Sequence, residues 1–307
     1  MHRKILPYGF FLVFAAILSA AIPGRAQTVP VTTVITVLGP KYTPPPAISK
    51  DDIAVYEGKQ KKDVNSWVPA QGDKAALELA IVIDDADSPD LGIQFTDITN
   101  FIKSQPKTTG VAIFYASNGT VQAASQFNTD HDAVIKALRM PFGRGAAYSS
   151  IYLSLMNLIS RWPVTGARRE ILLLADGIDR FRGDPFSPDV PATVEKAQKA
   201  GIIIHTLFAS GVGRFSRNFY RVSLGQSNLA QLSDGTGGES FFQGTQTPIS
   251  FAPFLQQLDT VLKNQFFLTY ATERSKKKGG ELRSFRIQTE QSNVEISHAQ
   301  KVFVPGP

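Results

Sequence analysis

Leu79-Ala80-Ile81-Val82-Ile83-Asp84 and, much further along, Ile171-Leu172-Leu173-Leu174-Ala175-Asp176 are the two stretches that decide the fold. Each is an unbroken apolar run that stops at an aspartate, the pattern of a strand buried on both faces of a parallel sheet. In an open α/β sheet, ligands bind beyond the carboxyl ends of the strands, where the strand order reverses. Two acids at two strand ends therefore point to one shared site at the top of a doubly wound, mostly parallel sheet.

Around these runs the pattern alternates between strand and helix. Phe95, Ile98 and Ile102 recur at helical spacing before Pro106. Val111 to Tyr115 and Val121 to Phe127 flank Ser117-Asn118-Gly119, and Asn-Gly between apolar runs predicts an antiparallel hairpin. Asp130 and Ser150 sit where side chains cap helices carrying Val134, Ile135 and Leu138, and Ile151, Leu155, Leu158 and Ile159. A helix over 191–200 stopped by Gly201, a strand over 202–207, a short helix over 229–232, a strand over 240–242 and a helix over 254–262 complete the unit. Outside it the chain is β-like. The β-branched run 31–37, Pro44-Pro45-Pro46 and Ile53-Ala54-Val55-Tyr56 precede a linker at Gln71-Gly72-Asp73-Lys74, while segments at 266–270, 284–287, 294–296 and 301–304 alternate apolar and polar. The expected organisation is a leader over 1–26, β segments over 27–72 and 265–307 that join in one β-sandwich-like module, and an inserted α/β domain over 73–264.

His2-Arg3-Lys4, an apolar stretch from Phe10 to Ile22 and small residues around Gly24-Arg25-Ala26 read as a secretory signal cleaved after Ala26. The stretch is shorter than the roughly 20 residues that span a bilayer, and no later run reaches that length, so no transmembrane anchor is expected after cleavage, and the product is secreted or periplasmic. The formal charge of +6 falls to about +3 without Arg3, Lys4 and Arg25, too little for a nucleic-acid partner. The basic cluster Arg274, Lys276-Lys277-Lys278 runs into Gly279-Gly280 as a solvated hairpin loop would. With no cysteine there is no disulfide framework, thiolate metal site or cysteine nucleophile.

In their order and spacing, Ile81-Val82-Ile83-Asp84 with Ser88, the hairpin at Asn118-Gly119, Leu172-Leu173-Leu174-Ala175-Asp176-Gly177 and Leu232-Ser233-Asp234-Gly235-Thr236-Gly237-Gly238 resemble the von Willebrand factor type A domain. With the flanks around Asp51-Asp52-Ile53 and Gln265-Phe266-Phe267, the chain resembles in particular the exported VWFA-related proteins of acidobacteria. The resemblance implies a Rossmann-like fold and a metal-ion-dependent adhesion site of the form Asp-x-Ser-x-Ser, a Thr on a middle loop and an Asp after the fourth strand. Asp84, Ser88 and Asp176 match that pattern and are the expected ligands of Mg²⁺ or another divalent cation. Ala86 replaces the first Ser and Gly145 stands where the Thr aligns; Asp85, Asp87 and Ser149 are the auxiliary oxygens at hand.

The residues leave a second reading open, in which Asp84 and Asp176 are loop and cap residues that accept backbone N–H groups. Asp85-x-Asp87 has the outline of a dehalogenase-type nucleophile motif, but Ser88-Pro89 follows it and no partner lysine stands in a matching context. His131, His205 and His298 are dispersed, and His205 lies inside an apolar strand as a satisfied core histidine would. No Gly-x-Ser-x-Gly elbow is present. The sequence thus leads to an exported protein that binds or scaffolds a protein partner through a type A domain with a degenerate adhesion site, and that is not an enzyme. The competing expectation is a metal-assisted hydrolase using the acids around Asp84 and Asp176.

Overall fold

The structure is a computed structural model that describes residues 27–143, 150–182 and 187–307. In chain order the strands are β1 (Thr28–Leu38), β2 (Ile53–Glu57), β3 (Gln60–Lys62), β4 (Val64–Pro69), β5 (Leu77–Asp84), β6 (Thr109–Ser117), β7 (Thr120–Ala123), β8 (Arg168–Ala175), β9 (Ile202–Phe208), β10 (Ser240–Phe241), β11 (Gln265–Glu273), β12 (Glu281–Thr289), β13 (Glu295–His298) and β14 (Lys301–Val304). The helices are α1 (Phe95–Ser104), α2 (His131–Ile135), α3 (Ile151–Arg161), α4 (Asp189–Ala200), α5 (Phe219–Thr236) and α6 (Ala252–Lys263).

The apolar runs form the middle of a six-stranded sheet ordered β10-β9-β8-β5-β6-β7, parallel except for β7. From β5 the chain winds outward to β6 and β7, then returns to β8 and winds the other way, so the order reverses between the strands that end at Asp84 and Ala175. One face packs on α3, α4 and α5, the other on α1 and α6 with α2. Asn118 and Gly119 both have positive φ, 52° and 72°, as the tight two-residue turn between β6 and β7 requires. Asp130 and Ser150 cap α2 and α3 by accepting Ala133 N–H and Leu153 N–H, and left-handed Gly201 ends α4.

Two departures from the sequence reading stand out. The short helix read over 229–232 is an internal stretch of α5, which runs from Phe219 to Thr236. Its first turns carry Ser223, Gly225, Ser227 and Asn228, residues of weak helix propensity that hide the period. The lysine run at 276–278 links β11 to β12, which lie in different sheets, so it crosses the module and does not close a hairpin.

The terminal segments build two four-stranded antiparallel sheets, β13-β1-β11-β4 and β14-β12-β2-β3. In the first, β1 pairs with β11 from Thr28↔Glu273 to Thr36↔Gln265. Between the sheets lie Val31, Ile35, Val55, Leu268, Tyr270 and Phe285. Buried Glu57 of β2 accepts hydrogen bonds from Tyr270 Oη (3.0 Å), Thr272 Oγ1 (2.8 Å) and Arg283 Nη1 (2.9 Å), which ties one sheet to the other.

The α/β domain stands on this module through a buried polar cluster. Glu170 of β8 is fully buried. One of its oxygens accepts from His205 Nε2 (2.8 Å) and Gln265 Nε2 (3.2 Å), and the other faces Arg168 Nη1 at 3.4 Å. Because Glu239 N–H donates to His205 Nδ1, the imidazole carries its proton on Nε2 and donates it to the carboxylate. Burial alone would raise the Glu170 carboxyl, but the hydrogen bond from His205, the charge of Arg168 and the hydrogen bond from Gln265 outweigh it and hold it below its ordinary value. Gln265 is the first residue of β11, and its amide also reaches Thr36 of β1 (3.4 Å). Next to it, Ala70 N–H donates to Gln265 carbonyl oxygen at 2.8 Å, so the chain enters and leaves the α/β domain at adjacent points.

Removing Glu170 leaves Arg168 as an uncompensated buried cation. Glu170→Ala should cost about 3–5 kcal/mol of unfolding free energy, and Glu170→Gln less, as read by urea denaturation. A second expectation concerns His298, whose Nδ1–H donates to Ala299 carbonyl oxygen (2.9 Å) while Nε2 accepts from Ile287 N–H (3.3 Å) beneath Phe285. Burial lowers its pKa from the usual 6.5, so the folded state resists the proton that the unfolded chain accepts. Its stabilising contribution is complete above about pH 6.5 and is lost as pH falls through the lowered value. Melting temperature should drop between pH 7 and pH 5, and His298→Gln should flatten that part of the profile.

Candidate functional site

The top of the sheet is where β5 and β8 deliver their acids. Asp84 and Asp176 are both 1% exposed. Each bends its own loop in the same way: Asp84 Oδ1 accepts Ala86 N–H (2.9 Å) and Asp176 Oδ1 accepts Ile178 N–H (3.0 Å). Both acids are thus local turn residues as well as neighbours across the switch point.

Arg180 reaches back from the β8 loop and grips Asp176 with both ends of its guanidinium, Nη1 on Oδ1 at 3.0 Å and Nη2 on Oδ2. Nη1 also lies 4.0 Å from Asp84 Oδ2. Ser216 Oγ accepts from Arg180 Nη2 (3.1 Å) and contacts Asp176 Oδ2 (3.2 Å). Close backbone packing makes this possible. Gly177, at φ +71°, lies against the carbonyl of Gly225 in α5, and a Cβ on Gly225 would meet Asp176 carbonyl oxygen. Tyr152 of α3 donates to Gly177 carbonyl oxygen at 2.5 Å and pins the same loop from the other side.

The neighbouring acids have separate fates. Asp85 is held by Arg139 through two hydrogen bonds, Nη1–Oδ1 at 2.7 Å and Nη2–Oδ2 at 2.8 Å, with the guanidinium over Tyr115 and Phe142. Asp87 is fully buried, and neither carboxyl oxygen has a hydrogen-bond partner among the described residues. Burial, and after it the nearby charges of Asp84 and Asp176, push its carboxyl well above the ordinary carboxylate range. Burial also lifts Asp84, to about 6, against the opposing charge of Arg180.

Ser88 is directed elsewhere. Its hydroxyl donates to Asp90 Oδ2 (3.0 Å) and accepts Asp90 N–H (3.3 Å), capping the turn at Pro89–Gln94. Gly145 and Ser149 lie outside the described residues. The structure thus brings Asp84, Asp87 and Asp176 together, separates off Ser88 and Asp85, and adds Arg180 and Arg139. A divalent ion needs several convergent oxygens. Here both oxygens of Asp176 are on Arg180, position 86 has no side-chain oxygen, and among the described residues no cluster of three acids or histidines could hold a metal ion. As arranged, these residues do not fit the adhesion-site cation. The two arginines escaped the sequence reading because each pairs with an acid through a loop contact. The available signal was Asp176-Gly177-Ile178-Asp179-Arg180, a cation placed four residues after a strand-end acid.

The loops above the site are unusually apolar at their surface. Ile93, Phe181, Phe219, Tyr220, Phe242 and Ile249 are exposed and follow the top ends of strands, and exposed Met140 and Phe142 lie on the segment after α2 that Gly143 N–H ties to Asp85 carbonyl oxygen (2.8 Å); among the described residues the other exposed large apolar side chains, Val68 and Val164, lie elsewhere.

No protein-family profile matches the chain, and no curated protein matches it. Among solved structures it is similar to a von Willebrand factor type A protein from Catenulispora acidiphila (TM-score 0.41, 9% identity, covering 91% of this chain and 74% of that one). It is similar also to the ArnB paralog VWA2 from Sulfolobus acidocaldarius (0.38, 9%, 90% and 76%) and to the SpRpn10 VWA domain (0.41, 11%, 59% and 95%). The chain's own strand order, its helices on both faces and its acids at the two switch-point strands give the α/β domain a von Willebrand factor type A-like fold.

Proposed function

We propose that the protein is an exported binding or scaffolding component of the cell envelope, released from its leader after Ala26, that holds a protein partner against the top of the α/β sheet and is not an enzyme. The single observation that carries this reading is the set of exposed apolar side chains on the loops at the top of the sheet. Exposed apolar groups gathered on one end of a domain mark an interaction surface, whereas scattered ones need no explanation. The aromatic members Phe142, Phe181, Phe219 and Tyr220 are of the kind that dominates interface energetics. Among the described residues no helix is long and apolar enough to cross a membrane.

The hydrolase reading needs an acid free to activate water. Asp85 has both oxygens on Arg139, Asp176 has both on Arg180, and Asp84 and Asp87 are buried away from water. The adhesion site is degenerate on this reading: Mg²⁺ or another divalent ion would enter only by displacing Arg180 from Asp176 and turning Ser88 away from Asp90.

The test is affinity capture from envelope extract with the wild-type protein, Phe219→Ala and Tyr220→Ala, with Val164→Ala as a control on a different surface. A partner held at the top face should bind about five- to thirtyfold more weakly to each aromatic variant, a loss of about 1–2 kcal/mol, and unchanged to the control. Equal capture by all four proteins would overturn the proposal. Hydrolytic turnover that disappears in Asp84→Ala would replace it with the enzymatic reading.

A further inference from the structure

We propose that Arg180 is the resident cation of the switch-point site, a tethered guanidinium standing between the carboxylates of Asp84 and Asp176 that makes the top of the sheet independent of any divalent ion. This goes beyond the binding reading and does not depend on it. The Arg180 side chain is 3% exposed, and its guanidinium makes polar contacts on several sides. It meets both oxygens of Asp176, Ser216 Oγ at 3.1 Å and Ile178 carbonyl oxygen at 3.4 Å, with Asp84 Oδ2 at 4.0 Å. The two-pronged grip on Asp176 uses the planar fork of arginine, which matches a carboxylate and keeps its charge at all accessible pH.

The surrounding backbone is shaped to admit this side chain. Gly211 follows β9, and a Cβ there would collide with both Arg180 Nη2 and Asp176 Oδ2. Its neighbours are fixed by backbone hydrogen bonds to the β5 loop, Ser88 N–H to Ser210 carbonyl oxygen (2.9 Å) and Val212 N–H to Ala86 carbonyl oxygen (3.0 Å). The loops after β5, β8 and β9 thus close around one guanidinium. A metal ion and Arg180 compete for the same carboxylates, and the arginine is covalently present at an effective concentration that a free ion does not match.

The experiment follows thermal unfolding of the full chain for wild type, Arg180→Lys, Arg180→Ala and Arg180→Ala/Asp176→Asn, each with chelator, with millimolar Mg²⁺ or Mn²⁺, and with millimolar ethylguanidinium. Wild type should melt at the same temperature under every condition. Arg180→Ala, with opposed carboxylates and no counter-charge, should melt about 10 °C lower, and should recover part of that loss with ethylguanidinium or Mn²⁺. Arg180→Lys should lie between the two, and the double variant should melt above the single one because the unpaired charge is gone. If Arg180→Ala does not fold, the double variant carries the test, and its failure to recover folding counts against the proposal. A rise in wild-type melting temperature with Mg²⁺ or Mn²⁺ overturns it, as does an Arg180→Ala protein as stable as wild type.

Discussion

A single buried carboxylate, that of Glu170, sets the terms for the rest of this molecule. A charge in the interior is tolerable only if its neighbours satisfy it, and here they come from different parts of the chain: Arg168 from the same strand, His205 from β9 and Gln265 from the start of β11. Gln265 in turn touches Thr36 of β1. The polar cluster therefore registers the parallel sheet against the sandwich in a way that apolar packing, which is non-directional, does not. The sandwich is at the foot of the sheet, and the loops that carry Asp84 and Asp176 are left at the free end.

At that free end the same problem recurs with a different solution. Asp84, Asp87 and Asp176 converge where β5 and β8 part, and their mutual repulsion and burial would be costly if all three were ionised. The molecule meets this with the fixed cation of Arg180, and burial raises the Asp87 carboxyl well above its ordinary value, while Asp85 is drawn aside by Arg139. Gly177, Gly211 and Gly225 supply the close approach of backbone and side chain on which the arrangement depends. Loops fixed so firmly from below can present large apolar groups above without collapsing onto them.

The architecture was legible in the sequence because its signals are local and periodic. Two apolar runs ending in Asp84 and Asp176 gave the parallel sheet, Asn118-Gly119 gave its one antiparallel hairpin, and β-branched alternation at both termini gave the flanking strands. The full extent of α5 was not legible, because Gly225 and Asn228 are chosen for contact with the Asp176 loop and not for helix propensity. The site was half legible. Carboxylates at strand ends follow from pattern, but the partner of each depends on how loops distant in sequence fold over one another. Nothing in the spacing of Ser88 distinguishes a ligand from a cap on Asp90, and nothing in that of Arg139 foretells its grip on Asp85.

The ladder between β1 and β11 has a consequence for how the chain comes into being. Strand β1 emerges from synthesis long before β11, and the whole α/β domain is made in between. Contacts of such high sequence separation form late and slowly. The α/β domain has its strands and helices close together in sequence and can assemble first, bringing Ala70 and Asn264 into proximity and shortening the effective loop that β1 and β11 must close. Until then β1 is a β-branched strand without a partner, open to mispairing with another chain. Completion of the sandwich is thus a late event that reports on the chain as a whole.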